Sequence, residues 1–232
     1  MFMKFFVLHG LLFTSFFANA IAVSSLLESA DPDTHSAEIT LVNNDGKDMF
    51  INFQMAKVEY VDGEKIVTKV NKNNIADWSF SISPSQMILR PGERKTLRML
   101  NSCGGRKCAK TKDETYAVDI TPVPYVEGKA TSVAVAFGYR VYFIDAASEV
   151  ELDYSITRQD KKNFKFINNS NTMLNAVLNY CSKEFRDDCI FQNRILPGAT
   201  KTFPLPKEAW DDETIKATII NADEEVNEKV SF

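Results

Sequence analysis

The sequence predicts an all-β chain built from two sandwich domains of related construction, and three observations carry that prediction. Alternating segments rich in β-branched and aromatic residues recur between turn signals at the roughly 8–12-residue spacing of a sandwich. No stretch before Asp145 keeps a helical period over a useful length. A turn is also echoed: Leu89-Arg90-Pro91-Gly92-Glu93-Arg94-Lys95-Thr96-Leu97 in the first half matches Ile195-Leu196-Pro197-Gly198-Ala199-Thr200-Lys201-Thr202-Phe203 in the second. Proline followed by glycine suits the centre of a type II turn, because proline fixes φ and glycine accepts a positive one. Shared flanks on both sides of the pair favour a repeated domain over coincidence.

The chain begins with Met1-Phe2-Met3-Lys4, a short basic start, followed by an almost wholly apolar run from Phe5 to Phe17 and the small residues of Ala18-Asn19-Ala20. This is the pattern of a secretory signal peptide over residues 1–20, cut after Ala20. The apolar run falls short of the roughly 20 residues that a spanning helix needs, and no other segment is long and apolar enough. Ile21 to His35 reads as a polar, irregular arm broken at Asp31-Pro32-Asp33. Strands are then expected at Ala37–Val42, Met49–Tyr60, Lys65–Val70, Trp78–Ile82, Thr96–Leu100 and Tyr116–Val123, the last closed by Pro122-Val123-Pro124. Asp62-Gly63 is a hairpin signal between the second and third of these. A polar stretch at Asp145 to Glu149 suits a linker. Further strands follow at Glu151–Thr157, Phe164–Ile167, Met173–Tyr180, Ile190–Ile195, Thr202–Leu205 and Thr214–Ile220, with a turn at Asn168 to Asn171.

The four cysteines form two close pairs, Cys103 with Cys108 and Cys181 with Cys189. In an exported chain these read as two local disulfides; the rival is a four-cysteine zinc site, although neither pair has the two-residue spacing of a zinc knuckle. The formal net charge is -4, one unit more negative once Lys4 leaves, which argues against a nucleic-acid surface and shows no polybasic membrane patch. After Ala20 only one histidine remains, His35, so a histidine triad or multi-histidine metal site is disfavoured. Phosphate-loop, dinucleotide and nucleophile-elbow motifs are missing, and the acidic runs Asp211-Asp212-Glu213 and Asp223-Glu224-Glu225 read as solvated loops. The expectation is a protein that is not an enzyme and uses no cofactor or metal.

The longest strand signal is Thr131 to Phe143. Its odd positions, Val133, Val135, Phe137, Tyr139, Val141 and Phe143, are bulky; Ser132, Ala134, Ala136 and Gly138 between them are small, and Arg140 follows on that flat face. Successive side chains leave a strand on opposite faces, so one face is a ridge. On pattern alone such a ridge is an ordinary sandwich core.

The order of these features resembles the periplasmic chaperones of the chaperone–usher pathway of pilus assembly. The segment Ile82 to Arg98 is similar to the family's proline, apolar run, Pro-Gly, and apolar residue followed by arginine; Asp113 to Val118 is similar to the opening of its next strand. Met173 to Tyr180 with the cysteine loop after it looks most like the colonisation-factor-type branch. The resemblance implies two immunoglobulin-like domains in a boomerang, over 21–145 and 148–232, and a chaperone that folds and caps pilus subunits and delivers them to an outer-membrane usher. It implies that Val133, Val135 and Phe137 are lent to a subunit lacking its final strand, the bulky face outward and the small face packing at home. It further implies that Arg140 anchors the subunit's C-terminal carboxylate. The family's second basic residue would fall near Ser29, yet Ile21 to Ala37 contains no lysine or arginine, so Arg140 acts alone or a base from another strand substitutes. A secreted adhesin or pilus subunit is the alternative, against which the polar Ile21 to His35 arm lacks a donatable apolar alternation. Self-association of the free chain stays open.

Overall fold

The computed structural model describes residues 21–103, 109–126, 129–130, 138–181 and 189–232. Its strands are β1 (Ile21–Val23), β2 (Leu27–Ser29), β3 (Ser36–Asn43), β4 (Met49–Val61), β5 (Glu64–Lys69), β6 (Phe80–Ser83), β7 (Met87–Leu89), β8 (Arg94–Asn101), β9 (Glu114–Val126), β10 (Lys129–Ala130) and β11 (Tyr139–Asp145). They continue as β12 (Tyr154–Arg158), β13 (Asn163–Asn168), β14 (Leu174–Asn179), β15 (Ile190–Ile195), β16 (Thr200–Pro204), β17 (Lys216–Asn221) and β18 (Asn227–Ser231). The described chain is all-β, and the expected fold class holds.

The first eleven strands make one sandwich. A sheet in the order β1-β3-β8-β6 faces a second in the order β2-β11-β9-β4-β5, with β7 and β10 attached to β4 and β9. Their shared core includes Leu41, Ile51, Leu89, Leu97, Met99, Ile120, Val141 and Phe143, all fully buried. Its aromatic centre stacks Phe80 on Tyr116 at 4.4 Å between ring centroids, with Phe143 at 5.2 Å from Phe80. Burial pushes the Tyr116 hydroxyl up to about 12. The later strands make a second sandwich, β12-β13-β16 against β15-β14-β17-β18, around Phe164, Phe166, Leu174, Leu178, Ile195 and Ile219.

The echoed turns have one construction. Gly92 and Gly198 adopt φ of +75° and +80°, as the Pro-Gly pattern requires. In the first, Gly92 N–H donates to the Asn43 carbonyl, while the Asn43 side-chain amide donates to the Leu89 and Lys47 carbonyls and its oxygen accepts from Asp45 N–H. In the second, Gly198 N–H donates to the Asn168 carbonyl, and Asn168 repeats the scheme on Ile195, Thr172 and Ser170. Both asparagines are fully buried, so each satisfies backbone groups that would otherwise be stranded.

Four features depart from the sequence expectation. The arm before His35 is not irregular, since β1 pairs antiparallel with β3 and β2 pairs parallel with β11. One chain segment is divided between two sheets, and pieces of three residues are too short to show an alternation. The short β7 was missed for the same reason. β9 runs through both prolines to Val126. Tyr125 N–H donates toward β4, to Asp48, so by alternation the missing donors of Pro122 and Pro124 face the other side, where described pairing with β11 stops at Ile120. Finally β18 is an exposed, polar edge strand that carries little apolar signal.

The sandwiches meet at a built junction. Ile144 packs with Met173 and Ala222 in a buried cluster joined by Leu27, Ala146 and Leu196. The Ser29 hydroxyl donates to the Ala222 carbonyl at 2.6 Å. Asp113 accepts from Ala147 N–H at 2.9 Å, Met173 N–H at 2.6 Å and the Thr172 hydroxyl at 3.2 Å, tying the first sandwich to the connecting segment and to the second.

Candidate functional site

β11 lies between β2 and β9, and its two faces do different work. The odd side chains point home: Val141 and Phe143 are fully buried in the first core, and Tyr139 packs against it and donates from its hydroxyl to the Ile21 carbonyl at 2.8 Å. Over this stretch the expectation that the small face packs at home is reversed. The reason is topological: the sheet containing β11 must turn one face toward β1-β3-β8-β6, and the bulky positions are the ones that fill that space. Gly138, at the head of the strand, has a specific cause. A β-carbon there would sit 2.8 Å from the Ile120 carbonyl oxygen, too close for any side chain. Val133, Val135 and Phe137 lie outside the described residues, as does Cys108.

The even face of β11 carries Arg140, Tyr142 and Ile144. Register places Arg140 opposite Asp119 of β9, and Asp119 opposite Gln54 of β4. Arg140 is about one-third exposed and forms a bidentate pair with Asp119, Nε to Oδ1 at 2.5 Å and Nη2 to Oδ2 at 2.8 Å. The guanidinium holds the Asp119 carboxyl below its usual range, against a smaller opposing effect of burial. The same pairing pushes the Arg140 group further up. One step along the face, Tyr142 receives Lys65 from β5, whose Nζ donates to the hydroxyl at 2.9 Å and sits 5.3 Å from the ring centroid. Beyond it Ile144 is sealed into the junction. The face thus grades from charged, through aromatic, to apolar.

Ser29, where the resemblance would put a second base, is a junction residue, and β2 beside β11 is Leu27-Glu28-Ser29. The nearest additional cations to the Arg140–Asp119 pair come instead from β5: Lys69 and Lys65 both act on the Asp119 charge. Sequence reasoning did not single out Asp119 or Lys65, because their contacts are made across strands rather than along one.

Two other groups bear on the chemistry. His35 Nδ1 and Lys110 Nζ each lie 3.0 Å from Oδ1 of the buried Asp145, and the Asn101 amide donates to its other oxygen at 2.9 Å. Cys103 Sγ is near enough that it, His35 and Asp145 could be taken for metal ligands, their atoms within 4.8 Å. Cys103 is disulfide-bonded, however, so it offers no thiolate, and the group reads as a polar cluster around the Asp145–Lys110 ion pair of the first sandwich. Cys181 and Cys189 form the expected disulfide, with Cα atoms 4.9 Å apart. Among the described residues no helix is long and apolar enough to cross a membrane.

The profile of one protein family, described as the CS5 fimbrial protein N-terminal domain, matches residues 23–145. No curated protein matches the chain. Among solved structures the chain is similar to the class 5 fimbriae chaperone CfaA, at 17% identity and a TM-score of 0.52 over 91% of this chain and 98% of that one. It is similar to the periplasmic chaperone SfaE at 14% identity and a TM-score of 0.55, with 91% and 98% covered. A complex of the SafA pilin with the SafB chaperone from Salmonella enterica gives 13% identity and a TM-score of 0.54, with 94% and 98% covered.

Proposed function

From a chain that belongs to the CS5 fimbrial protein N-terminal domain family, and that has the two-sandwich fold of fimbrial chaperones, we propose a periplasmic chaperone of fimbrial assembly. It is exported by the signal sequence at residues 1–20, binds fimbrial subunits that lack a strand, and passes them to an outer-membrane usher. It acts by binding and not by catalysis, with no cofactor. The units are a first domain over 21–145, which supplies the donated strand, and a second over 148–232. What supports this over the alternative of an adhesin or pilus subunit is the match along nearly the full length of both chains to structures named as chaperones.

In this reading Val133, Val135 and Phe137 are lent to the subunit by strand addition, where main-chain hydrogen bonds supply affinity and alternate side chains fill the open groove. Each buried Val or Phe contributes about 1.5–3 kcal/mol before ordering is counted. Arg140, on the opposite face near the junction, receives the subunit's C-terminal carboxylate through a planar fork of donors. The test is periplasmic co-expression with the fimbrial subunits encoded beside the gene, followed by purification on the chaperone. A one-to-one complex is expected, and replacing Val135 and Phe137 together by Asp should abolish it. A doubly substituted chain that still accumulates soluble subunit would show that strand donation through this face is wrong.

A further inference from the structure

We propose that Lys65 is the second cation of the carboxylate site and that Asp119 is the residue that positions Arg140 for it; this rests on the chaperone reading above. β5 is a sheet edge whose six residues are all exposed, a setting in which a lysine is ordinarily left in solvent. Lys65 instead folds back across β4 and β9 onto Tyr142 of β11, with both a hydrogen bond and a ring contact holding its ammonium there. Tyr142 accepts that hydrogen bond, so its own proton is free for an incoming acceptor.

Asp119 occupies only one edge of the Arg140 guanidinium, the edge formed by Nε and Nη2. The Tyr142 side chain also lies against the guanidinium, and the two bonds to Asp119 leave Nη1 unused, so a second carboxylate would meet Arg140 and Tyr142 together. A pair of this kind immobilises the plane of the guanidinium before any ligand arrives, which removes part of the ordering cost of binding. Charge points the same way. Arg140, Lys65 and Lys69 share this face with the single acid Asp119, leaving two positive charges unbalanced. A terminal carboxylate of a bound chain, with two oxygens and one negative charge, would be met by Arg140, the Tyr142 hydroxyl and Lys65, which already lie against one another. Because Arg140 and Lys65 stand on different strands, a carboxylate touching both is fixed in position along β11 as well as held.

The test uses the complex of the full-length mature chain with a co-expressed fimbrial subunit. The subunit carries either its native C-terminus or a Gly-Ser-Gly extension that moves the carboxylate away. Dissociation is followed by exchange against labelled wild-type chaperone. Losing a hydrogen bond to a charged group should speed dissociation about 10-fold or more in Lys65→Met, with Lys65→Arg close to wild type. Asp119→Asn should speed it too, because Arg140 is then free to rotate. The extension should likewise cost about 10-fold with wild type but under about 3-fold with Lys65→Met, since the interaction it disrupts is already gone. An extension that costs the same in both backgrounds, or a Lys65→Met complex that dissociates at the wild-type rate, overturns the assignment while leaving strand donation intact. A wild-type chain that captures no subunit overturns both readings.

Discussion

Asp113 gives the sharpest test of how the two sandwiches are held together. Its carboxylate is 7% exposed and accepts three hydrogen bonds, from Ala147 N–H, Met173 N–H and the Thr172 hydroxyl. Those bonds favour the ionised form, but burial outweighs them, and the negative Asp223 adds to it, so the group is raised from 3.8 to about 6. The folded chain therefore binds this proton more tightly than the unfolded chain does. The stabilising contribution is present in full below pH 3.8 and is lost as the pH rises through about 6. The shift between pH 4 and 7 amounts to about 2–3 kcal/mol, or roughly 4–12 °C in Tm for a chain of this size. Asp113→Asn removes the titration while keeping the shape and one acceptor. Tm should be measured for both proteins from pH 4 to 7, so that titrations common to both cancel in the difference. The margin of wild type over Asp113→Asn should shrink steadily across that range. A margin that stays constant or widens would refute this account of Asp113.

Asn168→Ala strands the Thr172 and Ile195 carbonyls and Ser170 N–H in the second core, which should cost about 2–5 kcal/mol. Urea unfolding followed by Trp210 fluorescence reads it, and Asn43→Ala should cost a similar amount in the first sandwich. Phe143→Ala empties the centre of the first aromatic cluster and should cost about 3–5 kcal/mol, seen as an earlier urea transition of Trp78.

Much of the architecture is legible because alternation and turn chemistry are local. β3, β4, β5, β13, β14 and β15 fall within a residue or two of where the pattern puts them, and the Pro-Gly echo correctly signals two related sandwiches. A fuller signal was available: Val42-Asn43-Asn44 recurs as Ile167-Asn168-Asn169, and these asparagines anchor the echoed turns from the other side. What the sequence hides is set across strands. The pairing of Arg140 with Asp119 depends on register between residues 21 positions apart, and that of Tyr142 with Lys65 spans 77. The carboxylate of Asp113 carries no sign that its partners lie 34 and 60 positions away. The direction of β11's bulky face was also undetermined, since alternation distinguishes two faces without saying which meets the core.

The two halves of the long strand signal fit together once that direction is known. From Tyr139 to Asp145 the strand is fixed on both faces, its odd side chains in the first core and Ile144 in the junction. Val133, Val135 and Phe137 have the same parity as Val141 and Phe143, so a strand that continued through Gly138 would present them without a change of phase. Its ridge would leave the home core at one end and be offered to another chain at the other. A one-residue slip of the incoming chain would set Ser132, Ala134 and Ala136 against the groove and forfeit most of the apolar gain. In the proposed reading the apolar ridge would supply affinity but distinguish poorly between registers two residues apart, because Val133, Val135 and Phe137 are all acceptable fillers. A charge fixed to a defined position does distinguish them, since a carboxylate displaced by two residues, about 6.6 Å, loses its hydrogen bonds altogether. In the proposed reading Arg140, paired with Asp119 at the boundary between the two halves, is the group that would set that register.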